Sequence, residues 1–474
     1  MRYCGVSENF HNAAIAFVEE DGVISFAAES ERYSKVKNDP VLHKYLRDMI
    51  KPTDRVAYYE NHDLRKKYSS IISSSNYASN IKNFEKALYK IDTSYMHHES
   101  HAASAFYTRP WESVEDTVIL TIDGFGEYQS ATIMDSNFNL LYENCYPNSI
   151  GLLYAFATRA LGLKALEEEY IVMGMSAFGD PSRYINQITN LYNQLDIKSI
   201  DTIVDFEQSL YDFAREDSAC LAASVQALAE QEIMRLAKIA RKYGKKLCYS
   251  GGVAQNIVAN TKIKSLFDDM WIAINPGDGG SAIGAAARAW ALGTGKNRLV
   301  WKDPYLGFDM KNDLNPKEIA KYISDEKYCG VLSGRAEFGP RALGNRSLLA
   351  NPAYDIKDTV NRIKNRQKYR PFAPAIMEEF ADEYFEGPMN EYMQYTAKAK
   401  HDYKSVTHVD GSARVQIVPK NSTSILRKIL EEFYTITNIP MLLNTSLNVR
   451  GRPICNDKYD GHLFEVNTKT KVFY

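Results

Sequence analysis

Apolar and polar positions alternate in short, strand-like runs at the start of the chain and in longer helical patterns further on. Three apolar runs separated by turn residues predict three strands within residues 3–33, with Asp21-Gly22 as a hairpin turn. Three later apolar runs predict strands that each end in a glycine-containing turn: 118–122, 247–249 and 271–274. Helical patterns cover 97–106, 152–163, 219–243 and 282–292. Strands that alternate with helices in this way predict an α/β fold.

Each of the three later strands ends in a turn whose backbone amides can face an anion. A single glycine turn is weak evidence, because glycine often only permits a tight turn. Three such turns after three strands indicate a phosphate-handling cleft at the strand ends. The candidate positions in and after these turns are Gly124, Gly251, Gly252, Asn256 and Gly279.

Two histidines at helical spacing precede the first of these turns. In a helix over 97–106, His97 and His101 share one face, where two imidazoles can bind one metal ion. The pattern is not the zincin motif, because Ala102 stands where that motif needs its second histidine. Asp123 and Asp278 follow two predicted strands and can lie beside the pair. Such a set suits Fe(II), Mn(II) or Zn(II); the alternative is that the histidines line the helix without a metal.

Composition narrows the class of protein without indicating a reaction. The 474 residues exceed one usual core, so two domains are expected, with a boundary in the segment 293–305. A net charge of −2 argues against a nucleic-acid or membrane surface over the whole protein. Six scattered cysteines, and no apolar run near the roughly 18 residues of a membrane span, predict a soluble cytoplasmic chain. One segment, 62–94, is locally basic through Arg65, Lys66, Lys67, Lys82, Lys86 and Lys90.

Cationic residues concentrate in loops of the second half. They stand among Gly, Pro and Asn residues in four segments: 334–347, 364–371, 408–415 and 444–453. Arginine presents a planar fork that pairs with two oxygens of a phosphate or carboxylate. Surface arginines usually have no chemical role, but loops of this kind position side chains on a rigid frame. We therefore expect an oxyanion or nucleotide site in the second half.

These stretches together resemble the NodU/CmcH/TobZ-type O-carbamoyltransferases. The similarity spans nearly the whole chain and includes the segments 97–101, 120–124, 169–174, 250–254, 275–280, 337–347, 370–374 and 444–453. It implies an actin-like (ASKHA) carbamoyl-transfer domain over 1–300 and a YrdC-like α/β domain over 303–474. In the second domain, carbamoyl phosphate and ATP would form carbamoyl adenylate. The implied ligands of a divalent metal, commonly iron, are His97, His101, Asp123 and Asp278.

The resemblance also implies roles for other side chains. In the first domain, His11 is expected near the acceptor as a general base. In the second domain, the pairs Lys364-x-Arg366 and Ser446-x-Asn448 match binding motifs. Arg341 is expected to be catalytic. The expected ligands of carbamoyl phosphate and ATP are Arg335, Arg341, Arg346, Lys364, Arg366, Arg370, Arg414, Asn444, Ser446 and Asn448.

Three features depart from the family pattern. Ile171 stands where a lysine is expected, which removes one polar contact from the transfer cleft. Arg452 stands where the family usually has Glu, so the charge of that loop is reversed. The chain ends soon after Ile454, which predicts a compact form with an open acceptor pocket.

The leading hypothesis is ATP-dependent O-carbamoyl transfer to a hydroxyl group. The expected acceptor is a sugar or antibiotic-like alcohol, or the hydroxymethyl group of a modified pyrimidine in a nucleotide or DNA. No membrane partner is expected, and a homodimer is compatible with the sequence. Two alternatives stay open: a non-catalytic or regulatory ATP-binding actin-like protein, and tRNA threonylcarbamoyl transfer.

Overall fold

The chain folds into two compact units. The computed structural model describes residues 1–72, 89–368 and 370–474. One unit comprises residues 1–27 and 40–301, and the other comprises residues 28–39 and 302–474. After residue 301 the chain passes from the first unit into the second, within the segment 293–305. Nothing in the hydrophobic pattern predicts that residues 28–39 also belong to the second unit.

Two five-stranded sheets form the framework of the first unit. Its strands are β1 (Arg2–Ser7), β2 (Ala14–Glu19), β3 (Ile24–Glu29), β4 (Arg55–Tyr58), β5 (Thr93–Ser94), β6 (Thr117–Ile122), β7 (Gln129–Asp135), β8 (Leu140–Cys145), β9 (Lys246–Ser250) and β10 (Asp269–Ile272). The last two residues of β3 already belong to the second unit.

The two sheets repeat one strand arrangement. The first has the order β3-β2-β1-β4-β5, and the second has the corresponding order β8-β7-β6-β9-β10. In each sheet the central strand, β1 or β6, pairs antiparallel with the next strand in the chain. On its other side it pairs in parallel with β4 or β9. Because β6 and β9 run parallel, the turns that follow them emerge at the same edge of the sheet.

Helices surround these sheets. They are α2 (Lys44–Arg47), α3 (His62–Ile72), α4 (His97–Thr108), α5 (Ile150–Ala160), α6 (Glu169–Met175), α7 (Ile185–Asn193), α8 (Ile200–Glu216), α9 (Ser218–Arg241), α10 (Ile257–Lys264) and α11 (Ser281–Thr294); the short α1 (Glu31–Ser34) lies in the second unit.

Close packing of α4 against α11 positions the site. Helix α11 contacts β1 on one side and α4 on the other, and α4 also packs on β6 and β9. A Cβ atom at Gly284 of α11 would lie 1.8 Å from the carbonyl oxygen of Ser100 in α4. Only glycine allows this approach, which brings the start of α11 beside the first turns of α4.

The second unit contains a mixed six-stranded sheet. Its order is β17-β13-β18-β12-β11-β19, and a small sheet has the order β14-β15-β16. The strands are β11 (Tyr328–Leu332), β12 (Arg346–Ala350), β13 (Ala373–Met377), β14 (Phe385–Glu386), β15 (Ala397–Ala399), β16 (Ser412–Ala413), β17 (Gln416–Val418), β18 (Met441–Ser446) and β19 (Val472–Phe473). The further helices are α12 (Pro316–Glu326), α13 (Lys357–Ile363), α14 (Ala381–Tyr384), α15 (Ile425–Thr437) and α16 (Lys458–Thr468).

Two clusters of buried apolar side chains form the core of this unit. Ile323 of α12 and Phe433 of α15 belong to one buried cluster with Val331, Leu349 and Leu442 of the sheet. Both units are therefore α/β, as the alternation of strands and helices predicts. No helix in the described ranges is long and apolar enough to cross a bilayer.

Candidate functional site

Four side chains converge in the first unit. His97 and His101 lie on α4, Asp123 follows β6, and Asp278 lies in the short 3-10 turn before α11. The donor atoms of these four residues all lie within 4.8 Å of one another. Asp123 Oδ2 is 2.8 Å from His101 Nε2 and 3.2 Å from His97 Nε2. The two Nε2 atoms are 3.0 Å apart, so both imidazoles point at the same small volume.

Local structure explains this convergence. The spacing of His97 and His101 puts both rings on one face of α4, as a helix over this stretch predicts. The backbone N–H of His97 donates to the carboxylate of Glu127, at 3.1 Å to Oε1, which fixes the start of the helix. Nothing in the sequence alone indicates that Glu127, just after the turn at 123–126, folds back onto α4.

The charges of the group are balanced within the site. Burial disfavours the charged imidazoles, but Asp278 and Asp123 outweigh it and raise the pKa of His97. For His101 the same two carboxylates outweigh burial and raise the pKa to about 9. Burial would raise the pKa of Asp123, yet His101 and His97 hold it well below its usual range. A positive charge at this point is therefore strongly favoured.

The donor set fits a divalent transition metal. Imidazole nitrogens and carboxylate oxygens suit Fe, Mn and Zn ions. Oδ2 of buried Asp278 has no hydrogen-bond partner within the described part of the chain. These four residues could hold one cation in place of the protons that the imidazoles otherwise carry.

His98, the neighbour of the pair, belongs to the core instead. Its ring is fully buried, and Nδ1 lies 3.2 Å from Thr132 Oγ1. Burial and the charge of His97 lower the pKa of His98 to about 3, so this ring is neutral at physiological pH.

His11 lies at the edge of the same group. Its Nε2 is 3.4 Å from Asp278 Oδ2, and its Nδ1 is 3.2 Å from Asn12 Oδ1. About a quarter of the side chain is exposed (24%), so solvent or a substrate can reach the ring.

The candidate glycines surround Asp123. The N–H of Gly124 donates to Asp123 Oδ1 at 2.7 Å, and a Cβ atom at Gly252 would lie 3.0 Å from the same oxygen. Gly251 has φ +92°, and a Cβ atom there would lie 2.2 Å from the carbonyl oxygen of Ile122. Gly279 lies in the turn that contains Asp278. The three turns therefore meet beside the His/Asp group.

Asn256 differs from the glycines, because the polar atoms of its side chain form hydrogen bonds within the protein. Its Oδ1 accepts from the N–H of Ala259 at 3.1 Å and so caps α10. Its Nδ2 donates to Gln226 Oε1 at 3.0 Å, and the amide of Gln226 donates back at 3.1 Å. These contacts account for the burial of the Asn256 side chain.

Cationic side chains of the locally basic segment are partly paired. Arg65 forms an ion pair with buried Glu60, and Lys90 lies 2.8 Å from Asp92. Lys82 and Lys86 lie outside the described residues. The paired members offer little support for a basic surface.

Arg346 in the second unit is held entirely by backbone carbonyls. Its five N–H groups donate to the carbonyl oxygens of Asn456, Ser333, Asn345, Phe308 and Gly334, at 2.6 to 3.1 Å. The side chain is fully buried, and burial lowers its pKa to about 10. No donor remains for a phosphate, so the expected role of Arg346 as a clamp is better assigned to other arginines.

Lys364 lies against the Ser446-x-Asn448 pair, as the matching motifs suggest. Its Nζ donates to the Oδ1 of Asn448 at 2.9 Å and to its carbonyl oxygen at 3.0 Å, and lies 3.3 Å from Ser446 Oγ. Burial and the charges of Arg366 and Arg370 hold the pKa of Lys364 well below its usual range.

Arg414 lies among other cations. Burial, together with the charges of Arg341, Arg366 and Arg370, holds its pKa well below its usual range. Among the described residues, its buried Nε has no hydrogen-bond partner. Several positive charges near one point are typical of a site for an anionic ligand.

The remaining expected ligands have identifiable neighbours. Arg335 donates to the carbonyl oxygens of Leu306 and Gly307, at 2.5 and 3.4 Å. Asn444 donates to Gln416 Oε1 at 2.7 Å, while its buried Oδ1 has no partner in the described part of the chain. Arg366 donates to Asn361 and lies 4.0 Å from the centre of the Phe372 ring.

Two family models match different parts of the chain. Residues 43–287 match the model described as "Carbamoyltransferase N-terminus", and residues 320–473 match "Carbamoyltransferase C-terminus". The nodulation protein NolO of Bradyrhizobium diazoefficiens is 32% identical over 77% of this chain and 74% of its own length. NolNO of Sinorhizobium fredii is 30% identical over 95% of this chain and 76% of its own length.

A solved structure with partial similarity is component A of (R)-2-hydroxyglutaryl-CoA dehydratase from Acidaminococcus fermentans. It is 14% identical, covers 62% of this chain and 100% of its own, and has a TM-score of 0.38. A score this low supports no conclusion about fold or function.

Proposed function

Because the chain belongs to the carbamoyltransferase family, and is therefore a carbamoyltransferase, we propose that it makes carbamoyl adenylate and transfers the carbamoyl group to a hydroxyl. Because the chain belongs to this family, we favour catalysis over a purely regulatory ATP-binding role. The carbamoyl phosphate and ATP reaction is assigned to the second unit, and the transfer reaction to the first.

Adenylate formation needs two balanced steps. Water replaces the phosphate of carbamoyl phosphate, which gives carbamate, inorganic phosphate and a proton. A carbamate oxygen then attacks the α-phosphorus of ATP, which gives carbamoyl adenylate and releases pyrophosphate. Carbamate itself is a poor electrophile. Its linkage to AMP provides a good leaving group for the later transfer of the carbamoyl group.

The observation that carries this proposal is the cation cluster around Arg414. Charge develops on the phosphate oxygens as the bond to pyrophosphate breaks, and preorganised cations stabilise it. Arg341, Arg366, Arg370 and Arg414 are proposed as the phosphate ligands. Lys364, Ser446 and Asn448 form one connected polar group and are proposed to orient the carbamoyl moiety. Arg346 is proposed to hold the loop that carries Arg341.

The His/Asp group of the first unit is proposed as the transfer site. His97, His101, Asp123 and Asp278 would hold a divalent transition metal, which when bound polarises the carbonyl of the donor. The open space beside Gly124 supports an approach of the adenylate phosphate to this turn. The distance of 3.4 Å between His11 and Asp278 supports His11 as the base that accepts the hydroxyl proton.

The strand arrangement supports the actin-like assignment of the first unit. Two sheets with one repeated order are expected of a duplicated domain. The YrdC-like assignment of the second unit rests on its motifs, Lys364-x-Arg366 and Ser446-x-Asn448, and on its mixed sheet.

A small-molecule alcohol is proposed as the acceptor. The DNA alternative was motivated by an open acceptor pocket and by the basic segment at 62–94, and in that segment Arg65 and Lys90 are paired with carboxylates. The match of both halves to carbamoyltransferase models disfavours threonylcarbamoylation of tRNA.

The proposal is tested by pyrophosphate release from ATP and carbamoyl phosphate without an acceptor. We expect release by the wild type and by the exposed-arginine control Arg362→Ala on α13, and at least about a hundredfold less by Arg341→Ala. Equal release by Arg341→Ala and wild type would contradict the assignment of the second unit. Release that depends on threonine and bicarbonate instead would support tRNA threonylcarbamoylation.

A further inference from the structure

The segment 28–39 brings one arginine into the second unit from the beginning of the chain. Arg32 lies in α1 and is 4% exposed. The other charged groups nearby in this segment are paired: Glu31 with Lys37 at 2.8 Å, and Lys35 with Asp460 at 2.6 Å. Arg32 is the exception among these side chains.

The guanidinium of Arg32 makes one hydrogen bond. Its Nη2 donates to the carbonyl oxygen of Gly339 at 3.3 Å, while Nε and Nη1 are buried without a partner among the described residues. Another buried arginine of this unit, Arg427, shows the usual arrangement, because Glu379 and Glu431 accept from it at 2.7 and 2.8 Å. A buried cation that lacks such acceptors is costly unless a ligand supplies them.

The surroundings of Arg32 belong to the candidate phosphate site. Gly339 stands two residues before Arg341, in the same loop. Burial raises the pKa of Cys455 to about 12, and the charges of Lys364, Lys35 and Arg32 oppose this rise. Oε2 of Glu337 has no hydrogen-bond partner in the part of the chain that the structure describes, yet Glu337 forms no ion pair with Arg32 there.

We propose that Arg32 binds a phosphate oxyanion in the second unit, through the Nε and Nη1 donors that protein groups leave unused. Nε–H and Nη1–H lie on different edges of the guanidinium, so each can donate to a phosphate oxygen by a separate hydrogen bond. Only the identity of the anion rests on the proposed function: it is the phosphate of carbamoyl phosphate or a phosphate of ATP.

Calorimetric titration of the full chain with inorganic phosphate, and separately with ATP, tests this assignment. We expect Arg32→Gln to weaken binding of at least one probe by about tenfold or more, and Lys37→Gln, a paired cation of the same segment, to weaken neither. Loss with phosphate alone identifies the carbamoyl phosphate pocket, and loss with ATP alone identifies the nucleotide pocket. Unchanged affinity for both probes would overturn the proposal.

Thermal unfolding separates anion binding from a structural role. Without phosphate, Arg32→Gln should unfold at the same temperature as wild type or higher, because an unpaired buried charge is removed. With phosphate, the wild type should gain stability that Arg32→Gln does not. An equal drop in Tm with and without phosphate would instead show a purely structural arginine. If Arg32→Gln does not fold, Arg32→Lys should fold and still bind the probe more weakly, because one ammonium group cannot reproduce both guanidinium donor directions.

Pyrophosphate release distinguishes this assignment from the proposed function. Phosphate binding that requires Arg32, in a protein that never releases pyrophosphate, would support the assignment and contradict the adenylate reaction. Undiminished release by Arg32→Gln at limiting carbamoyl phosphate and at limiting ATP would overturn the assignment and leave the reaction standing.

Discussion

Replacement of Arg346 distinguishes a structural arginine from a phosphate ligand. Arg346→Met keeps an unbranched side chain of similar length but removes all five donors to backbone carbonyls. Three of those carbonyls also accept backbone N–H groups, from Ser333, Met310 and Ala336. The carbonyl oxygens of Ser333 and Asn456 have no other donor in the described structure. The substitution therefore leaves these two buried acceptors without a hydrogen bond.

The magnitude follows from these two stranded acceptors. An unsatisfied buried acceptor costs about 1–3 kcal/mol, so two predict a loss of about 2–6 kcal/mol in the free energy of unfolding. The second unit has roughly 185 residues. For a unit of that size each kcal/mol shifts Tm by about 2–4 °C, which predicts a drop of about 4–24 °C.

Differential scanning calorimetry measures this drop, with Arg362→Met on the exposed side of α13 as the control. Hydrogen exchange of β11 and β12 should show the loss of protection in the same variant. An unchanged Tm, combined with weaker phosphate binding, would refute the reasoning and return Arg346 to the role of a phosphate clamp that its sequence context suggests.

Three further outcomes are expected from the first unit. The double variant His97→Ala/His101→Ala should retain no stoichiometric iron, manganese or zinc by elemental analysis, because half of the donor set is gone; undiminished metal content would contradict the assignment. Metal binding at pH 7 should release protons, which titration in buffers of different ionisation enthalpy measures. Asp123 and Asp278 outweigh burial and hold the pKa of His101 at about 9, whereas a metal-bound imidazole is neutral. Metal affinity that does not rise between pH 6.5 and 9 would contradict this prediction. Gly251→Ala should lower the free energy of unfolding by about 1–3 kcal/mol from backbone strain alone, and further from the 2.2 Å contact of its Cβ with Ile122 O. Gly174→Ala, in open space within α6, should instead raise it by about 0.5–1 kcal/mol.

The first-unit site was accessible to prediction because its geometry follows from local rules. Helical spacing puts His97 and His101 on one face, and Asp123 follows a recognisable strand. The adjacency of Asp278 depends on packing of α11 against α4, which Gly284 permits but which spacing alone cannot establish. Roles as metal ligands remain a prediction for all four residues.

The second-unit residues were harder to predict, because arginine looks alike in sequence whether it binds phosphate or backbone. Arg346 and Arg414 both follow glycine-containing turns in the sequence, yet one satisfies five carbonyls and the other has a buried Nε without a hydrogen-bond partner among the described residues. Arg32 offers no local signal at all, since its place in the second unit depends on where the segment 28–39 packs. Asn256 was likewise ambiguous, because an asparagine after a glycine turn is also a common helix cap.

The most direct test of the division of labour is mass-spectrometric detection of carbamoyl adenylate. The double variant His97→Ala/His101→Ala is incubated with ATP and ¹³C-labelled carbamoyl phosphate, and the products are quenched rapidly. Labelled carbamoyl adenylate together with pyrophosphate is the predicted result, because the adenylate reaction belongs to the second unit and does not need the His/Asp group. Absence of labelled adenylate and pyrophosphate in this variant, with both formed by wild type, would contradict the account.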